Sequence, residues 1–235
     1  MRLLAGLLFI GFFSFFTAPE FTDWGGYNGG DNRNHFSPLT QINVSNVKNL
    51  KLAWSYSSGG ADTVNQTTQI QCNPIIIQGV MYGVSAGSQA FALDAKSGRE
   101  IWKTAIQEKT PSMNSRGVAF YSSPGQRSKI FFGYGSYLFA LDAKTGKPVE
   151  NFGQHGKINL LDGIRRPGSD DYTVLNTPIS IYKNTLIVGT RVSESAPALL
   201  GDIRAFDATS GRLIWTFHTI PKPGEYGYKT WEKNN

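Results

Sequence analysis

Residues 138–152 read LFALDAKTGKPVENF, and the same pattern stands at 90–102, AFALDAKSGREIW, and at 203–217, IRAFDATSGRLIWTF. Each copy runs apolar, Ala, apolar, Asp, Ala, then Lys or Thr, Ser or Thr, Gly, a basic residue and an apolar run. Alternation of Phe91 with Leu93, and of Phe139 with Leu141, predicts a strand that ends at the aspartate. The aspartates are Asp94, Asp142 and Asp207; such a side chain accepts from backbone N–H groups two or three residues on and closes a turn. Gly98, Gly146 and Gly211 supply the positive φ that the turn needs. A second strand follows, ending in Trp102 or Trp215. In the middle copy Pro148 interrupts it and Phe152 closes the segment, which predicts an irregular outer strand.

A further hairpin precedes each copy. Residues 72–85 carry Ile75 and Ile77, a Gln78-Gly79 turn, then Val80, Tyr82 and Val84. Residues 176–190 repeat this with Lys183-Asn184 as the turn, and 116–121 pairs with 129–135 in the same way. Two hairpins make a four-stranded antiparallel sheet. The repeat aspartates lie 48 and 65 residues apart, which is the spacing of propeller blades, about 40–50 residues, with loop insertions. The fold class is therefore all-β: about three blades of a partial β-propeller after an N-terminal signal segment, probed further by one orphan strand, Lys51–Tyr56, that looks like the last strand of another blade. A propeller needs at least four blades. The reading thus expects an incomplete propeller over 19–235, part of a larger closed domain, with open edges and marginal stability alone.

Composition agrees. Only 17% of the 235 residues are charged, 40% are hydrophobic and 13% aromatic, with 26 glycines; ordinary globular chains are about 25% charged. This argues against a coiled coil or a disordered tail and for turn-rich β structure. The net charge of +6 comes from scattered basic residues, the densest being Arg165-Arg166, so a nucleic-acid stripe is not expected. Cys72 is the single cysteine, which excludes an intrachain disulfide, a cysteine zinc site and a lipid-modified N-terminus. His35, His155 and His218 lie in no metal-ligand spacing. Met1-Arg2 followed by the uncharged Leu3–Phe16 reads as a secretory signal over 1–18. Phe16 and Pro19 make a poor cleavage site, so an uncleaved N-terminal anchor stays open beside it. Either way the rest of the chain is expected outside the cytoplasm: periplasmic, secreted, or anchored at the outer face of the inner membrane.

The Asp-Ala turn with its closing tryptophan resembles the tryptophan-docking repeat of pyrroloquinoline quinone (PQQ) propellers. The opening is more specific: Asp23-Trp24, Tyr27, Asn28-Gly-Gly-Asp31, His35 to Leu39, Gln41 to Asn43, Asn46-Val47, Leu50 and Ala53-Trp54. It resembles the start of the eight-bladed quinoprotein alcohol and glucose dehydrogenases, and Thr216–Trp231 resembles their membrane-type glucose and polyol branch. The resemblance implies PQQ at the propeller axis above a calcium ion that polarises the quinone carbonyl, a carboxylate base, and hydride transfer from the substrate carbon to PQQ.

Carried onto this sequence, the resemblance implies four site residues. Arg116, in Asn114-Ser-Arg-Gly-Val-Ala-Phe120, would hold a PQQ carboxylate bidentately. Gln71 stands where many relatives have a glutamate that hydrogen-bonds the cofactor; a plain strand-end polar residue is the other reading. Thr177 lies near a cofactor-contacting hydroxyl of relatives, at a different offset from Pro178. Glu194 aligns with the calcium-ligating glutamate of the alcohol branch, a hard oxygen donor of the right type, and equally reads as a loop carboxylate. Thr110–Asn114 stands where the alcohol branch has a vicinal cysteine pair, so that disulfide ring is absent. Asp94, Asp142, Asp207, Trp102 and Trp215 read as structural, and Cys72 as a small buried apolar residue. The catalytic aspartate, the other metal ligands and the aromatic under PQQ would fall in later blades.

The expectation is the N-terminal part of an exported PQQ-dependent dehydrogenase acting on sugars, polyols or alcohols and passing electrons to ubiquinone or a cytochrome, inactive as this fragment. The competing expectation is a non-catalytic PQQ-repeat scaffold for protein interactions in the cell envelope.

Overall fold

The structure, a computed structural model, describes residues 23–30, 32–66, 68–104 and 114–231. The apolar segment read as signal or anchor lies outside the described residues. Among those described, no helix is long and apolar enough to cross a membrane, and helical structure is limited to single 3-10 turns.

The strands, in chain order, are β1 (Ile75–Ile77), β2 (Val80–Val84), β3 (Ala90–Asp94), β4 (Glu100–Thr104), β5 (Ala119–Tyr121), β6 (Lys129–Tyr134), β7 (Tyr137–Asp142), β8 (Lys157–Asn159), β9 (Thr173–Val174), β10 (Ser180–Tyr182), β11 (Thr185–Val188), β12 (Arg191–Val192), β13 (Ile203–Asp207) and β14 (Leu213–Phe217). They form three four-stranded sheets in the orders β1-β2-β3-β4, β5-β6-β7-β8 and β10-β11-β13-β14, plus the short pair β9-β12. Every pairing is antiparallel. The expected all-β blades are present.

The repeat turns close as their residue types dictate. Asp94 Oδ1 accepts from Ser97 N at 2.8 Å and Ser97 Oγ at 2.6 Å. Asp142 Oδ1 accepts from Lys144 N and Thr145 N at 3.0 and 2.9 Å, and Asp207 Oδ1 from Thr209 N and Ser210 N at 3.0 and 2.7 Å. These bonds satisfy turn amides that would otherwise have no partner.

Docking between sheets uses the same turns. Trp54 Nε1 donates to Ala95 O at 3.2 Å, and Trp102 Nε1 to Ala143 O at 2.9 Å. Each indole lies flat against the turn glycine: a Cβ on Gly98 would meet Trp54, and one on Gly146 would meet Trp102, at 2.5 Å. Both glycines also have φ near +70°, so the position excludes any side chain on two grounds. At the third turn the donor differs. Lys129 Nζ, buried under the Tyr121 ring, donates to Ala208 O at 3.0 Å. Burial pushes its amine below the ordinary lysine value, against the attraction of Asp207.

Two departures from the sequence expectation follow. The middle sheet takes its outer strand from Lys157–Asn159 and not from the residues after Gly146, because Pro148 has no N–H for a ladder and joins only an isolated bridge to Leu141. Lys51–Tyr56 forms no ladder, yet Trp54 within it docks as a blade-closing tryptophan does.

Alternation along β6 builds two cores. Ile130, Phe132 and Tyr134 face the first sheet with Ile75, Tyr82 and Trp102. Phe131, on the opposite face, packs toward the third sheet with Leu138, Phe152, Leu186 and Phe206. The middle sheet is thus covered on both faces, as a stacked blade must be. The outer sheet of the fan is covered on one side, leaving Leu213, Trp215 and Phe217 open to solvent.

Trp102 is 8% exposed and Trp215 is 42% exposed, and among the described residues the Trp215 indole makes no hydrogen bond. Trp102→Phe leaves the Ala143 carbonyl unpaired and is expected to cost about 1–3 kcal/mol, whereas Trp215→Phe is expected to stay within about 0.5 kcal/mol, read from urea unfolding. The turns set the acid limit. Hydrogen bonds from Ser97, helped by Arg99, hold the Asp94 carboxyl below the ordinary aspartate value. Burial raises Asp207, but bonds from Ser210 and Thr209 more than offset it. A carboxyl lowered in the folded state contributes stability above its unfolded pKa and loses it as pH falls through the folded one. Urea midpoints are therefore expected to fall below about pH 4, and to fall less steeply in D94N.

Candidate functional site at the inner ends of the sheets

The inner strands β1, β5 and β10 are each preceded by an asparagine: Asn73 before Pro74, Asn114 before Ser115-Arg116, and Asn176 before Thr177-Pro178. These lead-ins meet. Asn73 N donates to Arg116 O at 2.9 Å, and Arg116 N donates to Asn176 O at 2.8 Å. A parallel bridge joins Asn73 to Gly117. One backbone ladder therefore runs across the inner ends of all three sheets, with Arg116 at its centre. Gly117 permits it: its φ is +150°, and a Cβ there would stand 2.9 Å from Asn73 O.

Ladder register places the rest of the site. Ser180 pairs with Ile187, Val188 with Arg204, and Ile203 with Phe217. The hub residue Asn176, the loop 189–202 that carries Glu194, and His218 therefore all emerge at one end of the third sheet.

Of the four residues named from sequence, three lie on the ladder or beside it. Arg116 is exposed, and among the described residues its guanidinium makes no hydrogen bond or ion pair. Thr177 follows Asn176 directly and is exposed. Gln71 lies two residues before Asn73; its amide nitrogen donates to Gln69 Oε1 at 3.1 Å, while Gln69 N donates to Asn114 Oδ1 at 3.0 Å. Glu194 is held elsewhere, by Arg191 Nη2 at 3.1 Å, and Arg191 lies over the Tyr172 ring. Among the described residues no three His, Cys, Asp or Glu side chains gather as a metal cage. Burial raises the Cys72 thiol to about 11, against the Val84 N–H that it accepts; it stays a thiol and is no nucleophile.

Sequence reasoning passed over Asn73, Asn114, Asn176 and Arg191. The signal was there: an asparagine one to two residues ahead of Pro74, Arg116 or Pro178 recurs before each inner strand. Along the inner face, an open cleft between β5 and β10 is lined by Tyr27, Arg33, Phe120, Ile179 and Lys183, with no carboxylate among its described lining residues. Chemically this end offers a bare guanidinium, amides and a hydroxyl, a set that suits a multiply anionic ligand.

The profile "PQQ: Glucose/ethanol/alcohol dehydrogenase, beta-propeller domain" matches residues 24–235. The glycerol dehydrogenase large subunit of Gluconobacter oxydans is 29% identical over 232 residues, covering 91% of this chain and 30% of that protein. The dehydrogenase subunit of the quinone-type alcohol dehydrogenase of Gluconobacter oxydans is 33% identical over 235 residues, covering 90% and 28%. The quinohemoprotein alcohol dehydrogenase of Comamonas testosteroni superposes with a TM-score of 0.69 at 27% identity, covering 85% of this chain and 28% of that one. The chain spans under a third of the length of these relatives.

Gly117→Ala is expected to break the ladder at its centre. A Cβ against a fixed backbone oxygen costs several kcal/mol, and about 2–4 kcal/mol is expected here. Urea unfolding with hydrogen exchange of the Asn73 and Arg116 amides measures it.

Proposed function

The chain belongs to the family of quinoprotein glucose, ethanol and alcohol dehydrogenase β-propellers, and from that premise we propose that its hub holds PQQ in a dehydrogenase that oxidises sugars, polyols or alcohols. The observation that carries the reading is Arg116: a guanidinium without a partner among the described residues, at the point where the lead-ins of three inner strands are hydrogen-bonded together. PQQ bears three carboxylates, and a planar guanidinium meets a carboxylate through two parallel N–H donors. The residues fit the group on chemistry: Arg116 would take a carboxylate, Thr177 would donate its hydroxyl, and Gln71 would offer both an acceptor and a donor.

When bound, PQQ supplies the two-electron quinone chemistry that amino acids lack. The chain's own part is to orient it. Arg116 is fixed through its backbone at both N and O, so its side chain starts from a rigid base. The glycine beside it lets the Asn73 backbone come close enough to complete that base. Glu194 is the residue we assign to calcium, an oxygen donor of the right hardness; it would do so in place of its exposed partner Arg191, a surface ion pair of small worth. Electrons would leave to ubiquinone or a cytochrome, and the reaction would take place outside the cytoplasm.

Titrating PQQ with calcium and following tryptophan fluorescence tests the reading. Arg116→Ala is expected to weaken binding about tenfold to a hundredfold, the worth of charge-assisted bonds, and Arg116→Lys to recover only part of it. Equal affinity in wild type and R116A would overturn it, and no binding at all would favour the scaffold reading.

A further inference from the structure

His218 leaves the end of β14 and turns back between two carboxylates. Its Nδ1 lies 2.7 Å from Glu225 Oε1, and its Nε2 lies 3.9 Å from Asp202 Oδ2. The imidazole side chain is 18% exposed, and that of Asp202 is 5% exposed. Both partners are acceptors when ionised. A neutral imidazole has one N–H and turns a lone pair toward the other carboxylate. Only the imidazolium offers N–H to both sides.

The surrounding bonds make this ring a junction. Thr219 N donates to Asp202 Oδ1 at 3.3 Å, and Thr219 Oγ1 to Gly201 O at 3.2 Å. Lys222 N donates to Glu225 Oε2 at 2.7 Å, while Glu225 N donates back to Lys222 O at 3.0 Å. Asp202 and Gly201 close the loop that carries Glu194; Glu225 closes the turn at 222–225. The ring thus joins the foot of one loop to the other on the end of the sheet where the hub lies.

The other charged groups nearby leave the ring its role. Arg204, beneath Asp202, gives its guanidinium to Leu160 O and Asp162 O at 2.6 and 2.9 Å, and it feels the charges of Asp202 and Asp162. Lys222 is a second cation acting on Glu225. The Lys222 N–H, then the His218 bond and charge, hold the Glu225 carboxyl below the ordinary glutamate value, so that carboxylate stays ionised across the range in which histidine titrates.

We propose that His218 is a proton-operated clamp that fastens the 219–228 segment to the foot of the Glu194 loop when its ring is charged and releases it when the ring is neutral. The inference goes beyond cofactor binding and does not depend on it. Rising pH removes the second N–H and turns an attraction to Asp202 into a repulsion, so the segment loosens.

Amide hydrogen exchange on the whole chain tests this, because the Thr219 and Lys222 amides are bonded to the two carboxylates themselves. After correction for intrinsic exchange, their protection is expected to fall about tenfold as rising pH takes the ring from charged to neutral, with amides of β6 and β7 unchanged. In H218Q, protection is expected to be low and flat with pH. Should H218Q fail to fold by circular dichroism, E225Q serves, since Glu225 is exposed and the ring and Asp202 remain; it is expected to lose most of the pH response. Wild-type protection that does not change with pH, or a tenfold fall that persists in either folded variant, would overturn the clamp.

Discussion

One hydrogen-bond acceptor recurs at every junction of this fold: the alanine carbonyl that follows the turn aspartate. Trp54 serves Ala95, Trp102 serves Ala143, and Lys129 serves Ala208. Ala143 and Ala208 are buried and Ala95 is half-buried, so leaving these carbonyls unpaired would cost part or all of the desolvation of a peptide group. The aspartate freezes the turn that presents it, and the glycine lets the ring lie flat against the backbone. Sheet-to-sheet stacking therefore rests on a rigid turn and one donor, and the apolar faces behind it close around that contact.

The hub is a consequence. With the turns fixed at one end, the inner strands are brought close at the other, and their lead-ins complete one another's backbone bonds through Arg116. A guanidinium held by its own main chain, with no carboxylate partner among the described residues, is the feature on which the proposed anionic ligand rests. The same geometry sets Glu194 and His218 on that end, since both leave the third sheet where Asn176 enters it.

Much of this was legible in the chain. Asp94, Asp142 and Asp207, with their glycines, announce turns because few residue types close such a turn or accept its φ. The alternation of β3 and β7 and the tryptophans at fixed offset give the hairpins and their docking side. Arg116 was legible through its family context. Other features were not. Pro148 signals that a strand fails, but nothing near it says that Lys157–Asn159, after a further excursion of chain, takes the vacant edge. Lys129 reads as a surface residue, since lysine is seldom buried; only the missing tryptophan of the middle blade hints that another donor is required. Asn73, Asn114 and Asn176 look like ordinary turn residues until their neighbours in space are known.

The order of residues along the chain carries the local units: four-stranded sheets, closed by aspartate turns, repeated at blade spacing, with an opening and a central arginine of one enzyme family. These follow from side-chain types acting within a few residues of themselves. Tertiary structure alone decided which donor meets which carbonyl, that Asn73, Arg116 and Asn176 form one ladder, that Glu194 rests on Arg191, and that His218 lies between Asp202 and Glu225. The physical reason is range. A turn or a hairpin is settled by neighbours along the chain, whereas the backbone bond between residues 73 and 116, or the bond from the Lys129 amine to Ala208 O, exists only after two sheets have packed against each other.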